Sequence, residues 1–131
     1  IALIEIDQLA ALQSQHGQEA AEQAMQHTAA HLAQRIRRSD SLGHHGAHTF
    51  LLLLPNTPTP GARQVLHALR ESMLDAPAPA DGADVLPVSI SVGLWCGVPN
   101  LRDEPDELIA RARGALQAAQ EAGTNHLRVA T

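Results

Sequence analysis

The stretch LGHHGAHTF, Leu42 to Phe50, carries three histidines around a Gly-Ala pair, and Glu5 and Asp7 stand two residues apart at the end of an apolar run. Imidazole suits Zn²⁺ and neighbouring carboxylates suit a hard cation. His45 and His48, with help from Glu5 or Asp7, are therefore candidate ligands of a metal. A closed structural site needs four ligands, however, and strand alternation puts only His45 and His48 on one face, with His44 on the other. The competing reading is a solvent-facing turn. Two acids at a strand end are costly without a cation unless water reaches them.

These residues need elements to hold them. Ile1 to Ile6 is β-branched and weakly alternating, which predicts a strand with Asp7 at its carboxyl end. A short helix follows over about Gln8 to Gln15 and stops at Gly17. From Gln18 to Arg38, small and apolar residues recur at helical spacing, with Arg35, Arg37 and Arg38 expected in the last turn, where cations complement the helix dipole. Ser41 to His45 and Thr49 to Leu54 flank Gly46-Ala47, a pair suited to a type II′ hairpin with His45 opposite His48. A helix over Ala62 to Leu74 buries Val65, Leu66, Leu69 and Met73. Ala76 to Asp84 reads as a flexible connector. Val88, Ile90, Val92 and Leu94 alternate as a strand, Pro105 opens a helix closed by Gly123, and His126 to Ala130 supplies a final strand. Arg111 and Arg113 read as a solvated helix face paired with Asp106 and Glu107. The order βααββαβαβ predicts an α+β fold of ferredoxin-like or palm type, a mainly antiparallel sheet of about five strands with helices packed on one sheet face.

Composition narrows the function. The 131 residues suit one globular domain. A net charge of −5, with nine arginines, no lysine, one Phe and one Trp, argues against a nucleic-acid surface. The single Cys96 excludes an internal disulfide and fits a reducing, cytoplasmic compartment. No apolar run has membrane-spanning length, so direct membrane insertion is not expected. The chain opens in mid-strand, which predicts a fragment of a larger multidomain protein.

The order and spacing of several motifs resemble those of the GGDEF domain of bacterial diguanylate cyclases. Glu5-Ile6-Asp7 resembles the family's first-strand signature, Arg37-Arg38-Ser39-Asp40 its RxxD, and Gly46-Ala47-His48-Thr49-Phe50 the signature turn. Leu54-Pro55-Asn56-Thr57, Ser89-Ile90-Ser91-Val92-Gly93 and the run from Ala112 to Asn125 fit the later landmarks. The resemblance implies condensation of two GTP molecules into cyclic di-GMP across a dimer, with divalent metal ions held by the first acid of the strand signature and the turn carboxylates. Glu5 keeps the first carboxylate. Ala47, His48 and Thr49 replace a glycine and two acids, and Gln120 and Thr124 replace a Lys and an Arg near the triphosphate.

The resemblance thus implies a degenerate domain: no catalytic residue, a vestigial active site at Glu5, Ile6, Asp7, Gly46, Ala47, His48 and Thr49, and no metal or other cofactor, Mg²⁺ entering only with residual nucleotide binding. Gln13 and Glu22 keep the amide and carboxylate that would meet a guanine edge. Arg37 and Asp40 match the inhibitory site for cyclic di-GMP, although an Arg at a helix end and an Asp before a strand have ordinary structural roles too. The expected task is regulation or scaffolding, with an adjoining EAL or sensor-type domain, or a second copy, as partner. Weak sensing of GTP or cyclic di-GMP and weak cyclase activity are the alternatives.

Overall fold

A computed structural model describes residues 1–46, 48–74, 78–79, 85–86, 88–98 and 102–130. In chain order the elements are β1 (Ala2–Ile6), α1 (Leu9–His16), α2 (Gln18–Arg35), β2 (Ser41–His44), β3 (Thr49–Leu53), α3 (Thr59–Leu74), β4 (Ala78–Pro79), β5 (Val85–Leu86), β6 (Ile90–Leu94), α4 (Pro105–Ala122) and β7 (Leu127–Val129). Five strands form one sheet in the order β2-β3-β1-β6-β7, antiparallel except for β6 with β7. This is the palm-type α+β fold that the element order predicts.

Period-two alternation in β1 assigns the layers. Ala2, Ile4 and Ile6 enter the main core with Leu32 of α2, Phe50 and Leu52 of β3, and Leu66 and Met73 of α3. Leu3 turns to the other face and buries against Ala112 and Leu116 of α4. Helices therefore cover both sheet faces, not one. All five residues of β6 are buried for this reason, which hid the two-sided burial behind an alternating sequence.

Gly93 sets how closely α4 lies on the sheet. A β-carbon there would come within 2.2 Å of both the Ala112 carbonyl oxygen and the Leu116 amide nitrogen. Only a residue without a side chain permits that approach.

Several boundaries depart from expectation. α2 ends at Arg35 because Ile36 is extended, and Arg37 instead enters a turn whose backbone N–H donates to Asp40 Oδ2 at 2.8 Å. Arg37 and Arg38 thus stand beyond the last helical turn. α3 starts at Thr59, three residues early, since Pro60 is well tolerated in a first turn. The β2–β3 connection is longer than a two-residue type II′ turn: His44 pairs with Phe50, and the His45 amide donates to the Thr49 carbonyl at 2.9 Å. His45 therefore opposes Thr49, not His48. Gly46 occupies φ 89°, a left-handed conformation that favours glycine. Ala47 and most of the connector at 76–84 lie outside the described residues. β4, within that stretch, and β5, just after it, pair antiparallel where the sequence predicts only a flexible connector.

Gly93→Ala should lower stability by about 3 kcal/mol or more, because both clashing atoms belong to helix backbone. Thermal unfolding measures this, and an unchanged midpoint would contradict the packing described.

Candidate functional site

Glu5 and Thr49 are direct cross-strand partners, and Ser91 faces Glu5 from the other neighbouring strand. Glu5 shares the α4 side of the sheet with Leu3, so its carboxylate meets whatever that helix carries. Arg113, Leu116 and Gln120 recur at i, i+3 and i+7, which brings all three onto one helical face. The result is a closed set of contacts around one carboxylate. Arg113 Nη1 donates to Glu5 Oε2 at 2.6 Å, Thr49 Oγ1 donates to the same oxygen at 2.6 Å, and Gln120 Nε2 donates to Oε1 at 2.8 Å. Arg113 Nη2 donates to Thr49 Oγ1 at 3.1 Å and closes the ring.

Burial opposes ionisation of Glu5, but the three hydrogen bonds and the adjacent guanidinium outweigh it and hold the carboxyl below its ordinary value. Arg113 is not paired with Asp106 or Glu107 on a solvated face. That expectation followed charge spacing along the helix and overlooked the buried stripe: Arg113 lies four residues after Ile109 and three before Leu116, both packed in the Leu3 cluster. This phase was the available signal for it.

Asp7 has a separate set of donors. Ser89 Oγ and Ser91 Oγ each donate to it at 2.6 Å, and the Asn125 amide donates at 2.7 Å. The carboxylate ties the end of β1 to β6 and to the turn before β7. Glu5 and Asp7 therefore do not converge on one point. Among the described residues, no three His, Cys, Asp or Glu side chains group in a way that could hold a metal ion. His44 stacks obliquely on Phe50 at 5.2 Å between ring centroids.

Two clefts adjoin this centre. One, of about 340 Å³, is lined by Glu5, Ile6, Gln13, His48 and Gln120 among others. The second, of about 430 Å³, is lined by Gln13, Gln18, Ala21, Glu22, Met25, Gln26 and His48. Gln13 and His48 belong to both, so Gln13 and Glu22 do meet in one space next to the turn. Glu22 accepts a 3.3 Å hydrogen bond from Gln18 Nε2.

Arg37 and Asp40 form a closed pair elsewhere. Arg37 Nη2 lies 2.8 Å from Asp40 Oδ1, and its Nε reaches both carboxylate oxygens. The hydrogen bonds to Asp40 raise the Arg37 pKa above its ordinary value. Burial of Asp40 opposes its ionisation, yet the contacts from Arg37 leave its pKa lowered. Arg37 Nη2 also donates to Thr57 Oγ1 at 2.6 Å, and Thr57 in turn donates to the Pro55 carbonyl.

Comparison with known proteins gives these positions a context. The family described as "Diguanylate cyclase, GGDEF domain" matches residues 1–126. The chain is 30% identical over 124 residues to the uncharacterized protein YhcK of Bacillus subtilis, covering 95% of this chain and 34% of that one. It is 28% identical to diguanylate cyclase DgcP of Pseudomonas aeruginosa, covering 99% of this chain and 19% of that one. Among solved structures, diguanylate cyclase SiaD of P. aeruginosa, in complex with its activator SiaC, superposes with a TM-score of 0.90 at 26% identity, covering 98% of this chain and 48% of that one. The chain thus spans about a third or less of the curated relatives it matches. No helix among the described residues is long and apolar enough to cross a membrane.

Arg113→Ala should destabilise the fold by about 1–2 kcal/mol, since Glu5 and Arg113 are only partly buried and keep access to water. Glu5 has a lowered folded pKa, so its stabilisation is present above its unfolded value of about 4.3 and is lost as pH falls through the folded value. In the variant, carboxyl NMR titration should find the Glu5 pKa higher, and this acid-side loss should be smaller and complete at higher pH. An unchanged titration would show that Arg113 does not govern the carboxylate.

Proposed function

The chain belongs to the GGDEF domain family of diguanylate cyclases, the module of cyclic di-GMP signalling, and we propose that it serves there as a catalytically inactive regulatory or scaffold domain. One observation carries this reading: the Glu5 carboxylate is already neutralised by Arg113 and fully engaged by Thr49 and Gln120. Mg²⁺ needs several oxygen ligands in near-octahedral arrangement. Here a cation would meet one carboxylate with a guanidinium 2.6 Å away, a hydroxyl at 49 and an imidazole at 48. The residues do not fit the ion. Asp7 is no substitute, because its oxygens take up Ser89, Ser91 and the Asn125 amide.

Phosphate capture fails on the same side. Gln120 spends its amide on Glu5, and Arg113, the cation nearest this carboxylate, is compensated by it. The Arg37–Asp40 pair supports the same view of the RxxD motif, since a buried carboxylate already takes the Nε–Nη2 edge of the guanidinium and leaves a phosphate only the Nη1 side. Regulation through contact with another polypeptide fits the family better: the related SiaD was solved with an activator protein. The partner is in our reading an adjoining EAL or sensor-type domain or a second copy, in the cytoplasm.

A second reading, nucleotide sensing, has one observation in its favour. Gln13 and Glu22 line a single cleft of about 430 Å³, within the size range of small-ligand sites. An amide and a carboxylate can read the donor and acceptor edge of guanine without any metal.

Incubation of the protein with GTP and Mg²⁺ or Mn²⁺ should yield no cyclic di-GMP by chromatography, and formation of product above a no-protein control would overturn the inactive assignment. Calorimetry separates the two readings. A scaffold gives no heat with GTP or cyclic di-GMP at millimolar ligand, whereas saturable heat with GTP that Glu22→Ala abolishes would establish the sensing domain.

A further inference from the structure

A third cavity, of about 410 Å³, is lined by Pro60, Arg63, Gln64, His67, Arg70 and Leu127 and shares no residue with the two clefts beside Glu5. Its charge is unusual for this chain. The protein is net negative, yet Arg63, His67 and Arg70 follow one another at i, i+4 and i+7 along α3, a single helical face.

Arg70 is oriented before any ligand arrives. Its Nη1 donates to the Asn125 carbonyl at 2.7 Å, and its Nη2 lies 3.0 Å from His67 Nδ1. A guanidinium can only donate, so Nδ1 accepts and the neutral imidazole keeps its proton on Nε2. That nitrogen faces Glu71 Oε1 at 3.0 Å. Glu71, His67 and Asn125 are therefore a supporting chain, and His67 positions Arg70 without being a free donor itself.

The same guanidinium has an unmet group. Arg70 Nε is buried and has no hydrogen-bond partner among the described residues. Burial lowers the Arg70 pKa, with the nearby Glu71 and Asp7 acting the other way. Both acids are occupied, Glu71 by His67 and Asp7 by Ser89, Ser91 and the Asn125 amide. Arg63, about two turns away from Arg70, is exposed and makes no hydrogen bond or ion pair among the described residues. Seven residues rise about 10 Å along a helix. From that rise the long side chains can converge, since both arginines line the one cavity, and a diphosphate offers oxygens enough for two guanidiniums where a lone carboxylate offers two.

We propose that this α3 cavity is a binding site for a small diphosphate-bearing ligand, with Arg70 as its oriented donor and Arg63 as its second cation. The planar donor fork of arginine matches phosphoryl oxygens, and partial desolvation strengthens the contact. The proposal is independent of the reading given to the Glu5 centre.

Inorganic pyrophosphate is the probe, added to the protein at low ionic strength and followed by calorimetry and by the arginine Nε–H signals in NMR. The expected result is saturable binding with a shift of the Arg70 Nε–H signal. Arg63→Ala should weaken it about tenfold, the loss of one charge-assisted contact, and Arg63→Lys less, because the charge stays and the fork goes. Arg63 is exposed, so both variants should fold, which circular dichroism verifies. No shift at millimolar pyrophosphate, an affinity unchanged in Arg63→Ala, or equal binding of citrate would overturn the assignment.

Discussion

Because a β-carbon cannot be accommodated between β6 and α4 at position 93, the helix axis is drawn onto the sheet, and everything on the α4 side takes its place from that contact. With Leu116 seated against the strand, residues one turn either side project over β1. Arg113 and Gln120 then reach the Glu5 carboxylate. The ion pair is thus a consequence of backbone packing: it needs no movement of either strand, and both partners are carried by elements whose own burial fixes them.

The two acids of the first strand illustrate how much environment decides about chemically similar groups. Glu5 is held by side chains from two other elements and faces a guanidinium. Asp7, two residues on, receives two hydroxyls and a backbone amide from three separate points of the chain and serves as a clasp at the sheet's end. Neither has the open, doubly acidic surroundings that hard cations favour. Arg37 and Asp40 are another self-contained pair, bound also to Thr57, which joins the end of α2 to the turn ahead of α3.

The sequence made the layers and most element types readable because period-two and period-3.6 patterns report directly on burial. Glu5, Asp7, Gln13, Glu22, Arg37 and Asp40 were all visible as chemically significant positions. What escaped was relational. Alternation in β6 could not reveal helices on both faces, since Ser91 and Gly93 are small enough to be buried beneath α4. The hairpin loop is one residue longer than Gly46-Ala47 predicts, because that pair satisfies a two-residue turn locally whereas His44 pairs with the core residue Phe50. The acidic neighbours of Arg113 in sequence point it to solvent, although its partner is 108 positions away. Long-range charge pairing leaves no local pattern beyond helical phase.

Thr49 has a meaning beyond the bonds it makes. Its hydroxyl donates a hydrogen bond to Glu5 while accepting one from Arg113, a dual role open to a hydroxyl and closed to a carboxylate. An acid placed there could not donate to Glu5 and would set two anions before a single guanidinium. The residues at 5, 49, 113 and 120 are consequently one coupled unit, in which an acid introduced at 49 costs stability unless its neighbours change with it.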